Sequence, residues 1–155
     1  MVIRLAYEED LQKVNVLRRQ VNQLHVEGKP DVFKPGFPDK LRDYIQVIFR
    51  DPEQWIVIAC EGEDVCGFAV LHHIVRPESP FMYERNFLDV DEFCVDSRWR
   101  RRGVGTQLMD FIRAFAREKN FHRIELNMWE FNQDALAFYE AAGFTTFRRY
   151  MEMYV

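Results

Sequence analysis

The run Arg100-Arg101-Arg102-Gly103-Val104-Gly105-Thr106 stands where a strand pattern ends and a helical one begins. Two glycines at such a corner remove side chains where the backbone turns. Consecutive N–H groups can then point at one place, and the helix N-terminus behind them adds positive potential. The chemistry that suits this corner is anion binding, above all of a pyrophosphate, with the arginines as further cationic and bidentate donors. A bare G-x-G also serves a strand-to-helix turn for geometry alone. There is no G-K-[ST] ending of a P-loop and no third glycine of a dinucleotide fingerprint, which argues against nucleoside triphosphatases and nicotinamide enzymes. His25, His72, His73 and His122 lack metal-ligand spacing, and adjacent His72 and His73 on a strand point to opposite faces, so no metal site is predicted.

The elements that position this corner are legible from periodicity. Val2 to Ala6 reads as a strand, and Glu8, Glu9 and Asp10 then put negative charge at a helix start. Leu11, Val14, Leu17, Val21 and Leu24 mark that helix, and Leu41, Tyr44, Ile45, Ile48 and Phe49 a second, after a loop from Gly28 to Pro38. Trp55–Glu61 and Val65–Val75 read as an antiparallel hairpin, Phe87–Val95 as the next strand, Gly105–Lys119 as a helix and Arg123–Trp129 as a strand. Asn132 as N-cap and Gly143 as C′ residue frame a last helix, and the tail from Phe144 reads as β-like. The order β-α-α-β-β-β-α-β-α-β implies an α+β fold whose mixed sheet has one internal parallel pair.

The chain has 155 residues, 48% of them hydrophobic, with 14 Phe, 6 Tyr and 3 Trp, which is enough for a single domain over residues 1–155 with a proper core. Cys60, Cys66 and Cys94 are odd in number and lack C-x-x-C spacing, which argues for a reducing, cytoplasmic compartment. The N-terminus becomes charged within ten residues, and the most apolar stretch, Val65 to Val75, is too short to span a bilayer, so neither secretion nor a membrane partner is expected. Net charge is −4, with eleven acidic and two basic residues between 51 and 96. That segment points to a cationic acceptor, since carboxylates lining a cleft would concentrate an amine.

The glycine run is similar to the R/Q-x-x-G-x-G/A signature of the GNAT superfamily of acetyl-coenzyme A-dependent N-acetyltransferases. Asn132-Gln-Asp-Ala135-Leu-Ala-Phe138-Tyr139-Glu-Ala-Ala-Gly143-Phe144 resembles that family's N-x-x-A-x-x-F-Y-x-x-x-G-F segment. The likeness covers residues 87–147 closely, and Arg4-x-Ala6-x-x-x-Asp10-Leu11 also looks like many members. It implies a central, mostly antiparallel sheet that splays at its one parallel pair, flanked by about four helices, with pantetheine in the gap. Phe93, Cys94 and Val95 would pair with the pantetheine amides through their backbone. The loop from Arg100 through Arg101, Arg102, Gly103, Val104 and Gly105 to Thr106 would cradle the pyrophosphate, and Asn132 would touch the cofactor from the other side.

Acyl transfer to an amine requires a proton acceptor, and by resemblance the strand before the thioester supplies it, directly or through water. Asp91 and Glu92 are the candidates. Strict alternation groups Asp91 with Asp89 and Phe93 on one face and Glu92 with Cys94 on the other, and a bulge would break that pattern. Tyr139, which shares a helix face with Ala135 and Ala142, is the implied general acid for the departing thiolate and a cofactor contact. A backbone N–H near Phe93 to Val95 would meet the oxyanion, and Cys94 has no paired histidine to make it a nucleophile. The expected partners are acetyl-coenzyme A and an amine acceptor, small molecule or peptide; the sequence allows a homodimer. Net charge and arginines already committed to an anion loop argue against nucleic acid. A non-catalytic acyl-coenzyme A-binding or sensor module is the alternative; Tyr139 and the Asp91–Glu92 pair favour the enzyme. His25, ahead of the first loop, and Phe33, Phe37, Phe81 and Tyr83 are expected around the acceptor cleft as contacts or as loop anchors.

Overall fold

The computed structural model describes residues 1–155. Its elements are β1 (Val2–Leu5), α1 (Leu11–Gly28), α2 (Asp39–Arg50), β2 (Gln54–Glu61), β3 (Asp64–Arg76), β4 (Arg85–Val95), α3 (Val104–Glu118), β5 (Ile124–Leu126) and α4 (Gln133–Ala141). Single 3-10 turns lie at Glu8–Asp10 and Ser97–Trp99. The five strands form one sheet in chain order, antiparallel throughout except for the parallel pair β4–β5.

Period-two alternation gives the sheet two apolar faces. Ile56, Ile58, Phe68 and Val70 bury against Leu11, Val14 and Leu17 of α1 and Ile45 and Ile48 of α2. Val57, Ala59, Ala69, Leu71, Leu88 and Val90 bury against α3, whose Val104, Leu108, Met109, Ile112, Phe115 and Ala116 recur at three- to five-residue spacing along one stripe. β3, near the middle of the sheet, is buried almost continuously from Val65 to Leu71, as a strand covered on both faces must be.

Two departures from the sequence reading matter for function. The strand expected over Arg123–Trp129 pairs only over Ile124–Leu126, because its last partner on β4 is Val90. Beyond that point β4 runs on to Val95 against β3 alone, so its other edge is free from Asp91 onward. Secondly, the tail from Phe144 is no strand. Side chains hold it instead: Phe147 lies against the guanidiniums of Arg85 and Arg123, Lys29 pairs with Glu152, and the Tyr154 hydroxyl donates to Asp31 at 2.5 Å. An open cleft separates the tail from β5, which denies its backbone a ladder partner.

Candidate active site

At the end of β4 the chain turns through Ser97–Trp99 into the glycine corner. Asp96 is fully buried; its carboxylate caps the turn by accepting from the Arg98 N–H at 2.9 Å and pairs with the Arg98 guanidinium at 2.7 Å. That pairing holds the Asp96 carboxyl below the usual carboxylate range and withdraws Arg98 from the arginine cluster. Arg100, Arg101 and Arg102 form no ion pair; the Arg100 Nε donates to the Val95 carbonyl at 3.3 Å, and Arg102 lies over the Trp99 ring. Arg101 (φ 62°) and Gly103 (φ 77°) both adopt the left-handed conformation, the backbone alternation that turns successive N–H groups inward. Gly103 is the N-cap of α3, and no side chain caps that end, so the N–H groups of Val104, Gly105 and Thr106 have no intrahelical acceptor.

Gly105 is required by proximity. A Cβ there would stand 3.2 Å from the Phe138 ring and 3.6 Å from the Val95 side chain. The start of α3, the end of β4 and α4 therefore meet at one point. Phe93 adds to this junction, with its ring 5.4 Å from Phe138 and 6.1 Å from Tyr139. Asn132 caps α4 by accepting from the Ala135 N–H at 3.1 Å, and a pair of bonds, Gly143 N–H to Glu140 O and Phe144 N–H to Tyr139 O, closes its other end. Tyr139 is enclosed by Phe93, Phe138 and Phe144. Burial, with Cys94 nearby, pushes its phenol up to about 12. Burial likewise pushes the Cys94 thiol up to about 12, the opposite of an activated nucleophile.

The bulge that the sequence reading left open is present. Val70 faces Glu92 and Leu71 faces Val90, which leaves Asp91 as the extra residue of β4. Its side chain is exposed. The bulge reverses the alternation, so that Asp89 before it and Glu92 after it lie on the α1–α2 face while Phe93 turns toward α4. Glu92 is engaged: the Arg18 Nε donates to both of its oxygens at 3.1 and 3.2 Å, and the Arg18 guanidinium also donates to Asn15 and to the Leu41 carbonyl. Burial pushes the Glu92 carboxyl up, against the opposing pull of Arg18.

Asp89, which the sequence reading passed over, makes no ion pair and lines an open cleft of about 1560 Å³ that Tyr139 also lines. Burial, then the charge of Asp91, pushes it up to about 6; His72 and Arg76 oppose and Glu125 reinforces that rise. No residue pattern in the sequence marks it, since the extra residue at Asp91 that separates Asp89 from the Phe93 face is a feature of strand register. Of the eleven acidic residues between 51 and 96, Asp89 alone lines this cleft. Trp129, which lines the cleft, meets Phe33 edge-on at 4.9 Å, and Phe33 stacks on His25 at 4.8 Å. Burial lowers the His25 pKa. Phe37 lies under Arg18 and Arg19, an anchor for its loop, whereas Phe81 and Tyr83 are fully exposed.

Comparison with known proteins agrees with this geometry. An L-amino acid N-acetyltransferase, AaaT, of Escherichia coli K12 is 33% identical over 89 residues, 57% of this chain and 51% of that protein. An N-acetyltransferase from Lactobacillus delbrueckii subsp. lactis is 30% identical over 66 residues, 43% and 38% of the two chains. The chain thus aligns with about half the length, or less, of these relatives. Among solved structures, the tetramutant of the BH1408 protein from Bacillus halodurans superposes over the full length of both chains with TM-score 0.94 at 25% identity. The aminoglycoside acetyltransferase AAC(6')-Iy, in complex with a bisubstrate analogue built on coenzyme A, matches 99% of this chain and 97% of its own with TM-score 0.77 at 19% identity, a likeness of fold. Residues 18–144, from the arginine that grips β4 to the phenylalanine just past the Tyr139 helix, match the model of the Acetyltransferase (GNAT) family, and the chain belongs to that family.

Proposed function

We propose that the protein, as one domain over residues 1–155, transfers an acetyl group from acetyl-coenzyme A to a primary amine by direct attack within a ternary complex. The observation that carries this is the continuity of the free β4 edge, from Asp91 to Val95, with the uncapped N-terminus of α3. The residues fit the coenzyme: the backbone of Phe93, Cys94 and Val95 offers strand-like pairing to its amides. The N–H groups of Val104, Gly105 and Thr106, with Arg100, Arg101 and Arg102 around Gly103, suit its diphosphate. Asn132, whose NH2 group is free once its oxygen caps α4, approaches from the other side. The coenzyme supplies an acyl thioester already activated toward amines.

An alkylammonium with a pKa of about 10.4 yields almost nothing to a carboxylate near 6, so the free amine is the reacting form. As the C–N bond forms, the nitrogen must shed a proton that has become far more acidic, and Asp89 accepts it. Asp91 and Glu92, the carboxylates read from the sequence, act here through Asp89 and the strand: the charge of Asp91 raises the proton affinity of Asp89, and Glu92 fixes the bulge to α1 through Arg18. Tyr139 keeps its proton at every working pH and donates a hydrogen bond to the departing sulfur. At about 12, against about 8.5 for a free thiol, it steadies the thiolate without giving the proton up outright. An N–H of the Phe93–Val95 edge faces the oxygen on which charge builds.

The names of the Escherichia coli and Lactobacillus relatives support amine acetylation. No helix is long and apolar enough to cross a membrane, and three free buried cysteines support a cytoplasmic setting. Coenzyme A release against a panel of amines, amino acids and peptides tests the reading. Turnover with any of them is expected, and no heat of binding with millimolar acetyl-coenzyme A at two temperatures would end it.

A further inference from the structure

The floor of the cleft carries a charge pattern that proton transfer does not use. Strand register sets His72, Asp89 and Glu125 side by side across β3, β4 and β5, and Arg76 beside Arg85. Glu125 is almost enclosed and is held by both Arg85 and Arg123. Arg76 has no acidic partner and lines the same cleft. Arg85 and Arg123 thus converge on the one Glu125 carboxylate beside Asp89, and Arg76 adds an unpaired guanidinium, so that a net positive patch adjoins Asp89, a carboxylate without an ion pair. The Arg85–Arg123 pair is already occupied by Glu125, whereas Arg76 is free and its backbone lies four residues from His72, about 13 Å of strand at about 3.3 Å per residue, less the reach of its side chain.

Resting on the transfer reading above, we infer that the acceptor is amphoteric, a primary amine bearing a carboxylate or phosphate several bonds away. The amine sits at Asp89 and the anion on Arg76, with the Arg85–Arg123 pair adding to the positive field. A guanidinium without an acidic partner is the natural site for a bidentate anion contact. A plain alkylamine leaves these arginines unanswered, and a diamine sets a second ammonium against them.

Matched amines of one length test this: 6-aminohexanoate, hexylamine and 1,6-diaminohexane, compared by kcat/KM for coenzyme A release. The aminocarboxylate is expected to lead hexylamine by roughly tenfold to a hundredfold, the scale of one or two charge-assisted hydrogen bonds, with diaminohexane lowest and the lead reduced in high salt. Arg76→Gln should shrink the ratio by about tenfold, while Arg50→Gln, an exposed arginine of α2 far from the cleft floor, should keep it. Hexylamine or diaminohexane equalling the aminocarboxylate, with all three turned over, would overturn the inference and leave acetyl transfer standing. Should none be turned over, the wider amine panel judges acetyl transfer, and calorimetric titration of the same three amines into coenzyme-saturated protein decides the inference, since equal affinities contradict the anion site.

Discussion

Asp89 and Tyr139 divide the work by their opposite relation to neutral pH. With Asp89 at about 6 and the amine near 10, kcat/KM should rise with pH with a log slope of about two below pH 6 and about one from pH 6 to 9. Asp89→Asn should lose the steeper limb and show a slope of one throughout; a wild-type slope of one down to pH 5 would remove Asp89 from proton transfer. The same variant has a stability signature of definite sign. The folded value lies above the ordinary 3.8, so the folded chain holds more protons between those values and stability falls as pH rises from about 4 to 6. Above pH 6 Asp89→Asn should therefore be more stable, by about 1–2 kcal/mol after allowance for solvent screening, as denaturant midpoints would read. Tyr139→Phe should lower kcat by roughly 10²-fold while leaving coenzyme affinity within about twofold, and unchanged turnover would exclude the phenol. The sequence carried Tyr139 through its motif. It did not carry Asp89, whose face depends on a bulge that no local residue type announces.

Among the elements, β4 does the most, because one extra residue both ends its pairing with β5 and turns Asp89 and Glu92 onto one face. The Arg18–Glu92 pair stitches that strand to α1 from a nearly dry position. Glu92→Gln removes one partner and strands a buried guanidinium, so a loss of about 3 kcal/mol in denaturant unfolding is expected, with the pH slopes of activity retained. Slopes that change without loss of stability would make Glu92 the proton acceptor instead. The helices and long strands were legible because periods of 3.6 and 2 survive in their apolar residues. β5 was read too long, since Asn127 to Trp129 continue its alternation although β4 has already turned away. The tail kept a strand's composition, yet Phe147 and Tyr154 anchor it through arginines and Asp31 rather than through a ladder.

At the scale of the whole molecule, two apolar cores hold the sheet from both faces and run to the end of β4, where Cys94 is buried in one and Phe93 and Val95 pack against the other. The gap thus follows from where β5 stops pairing with β4, and the motif residues of β4, α3 and α4 converge there through Gly105, Phe93 and Phe138. Sequence periodicity could place those elements in order; it could not show that an arginine row shares the cleft floor with Asp89, because register across three strands sets it. The most direct measurement is amide hydrogen exchange with and without saturating acetyl-coenzyme A. New protection at Phe93–Val95 and at Val104–Thr106, with little change in α1 and α2, is the expected result. Binding without protection at either stretch would contradict a coenzyme held by the free edge of β4 and the N-terminus of α3.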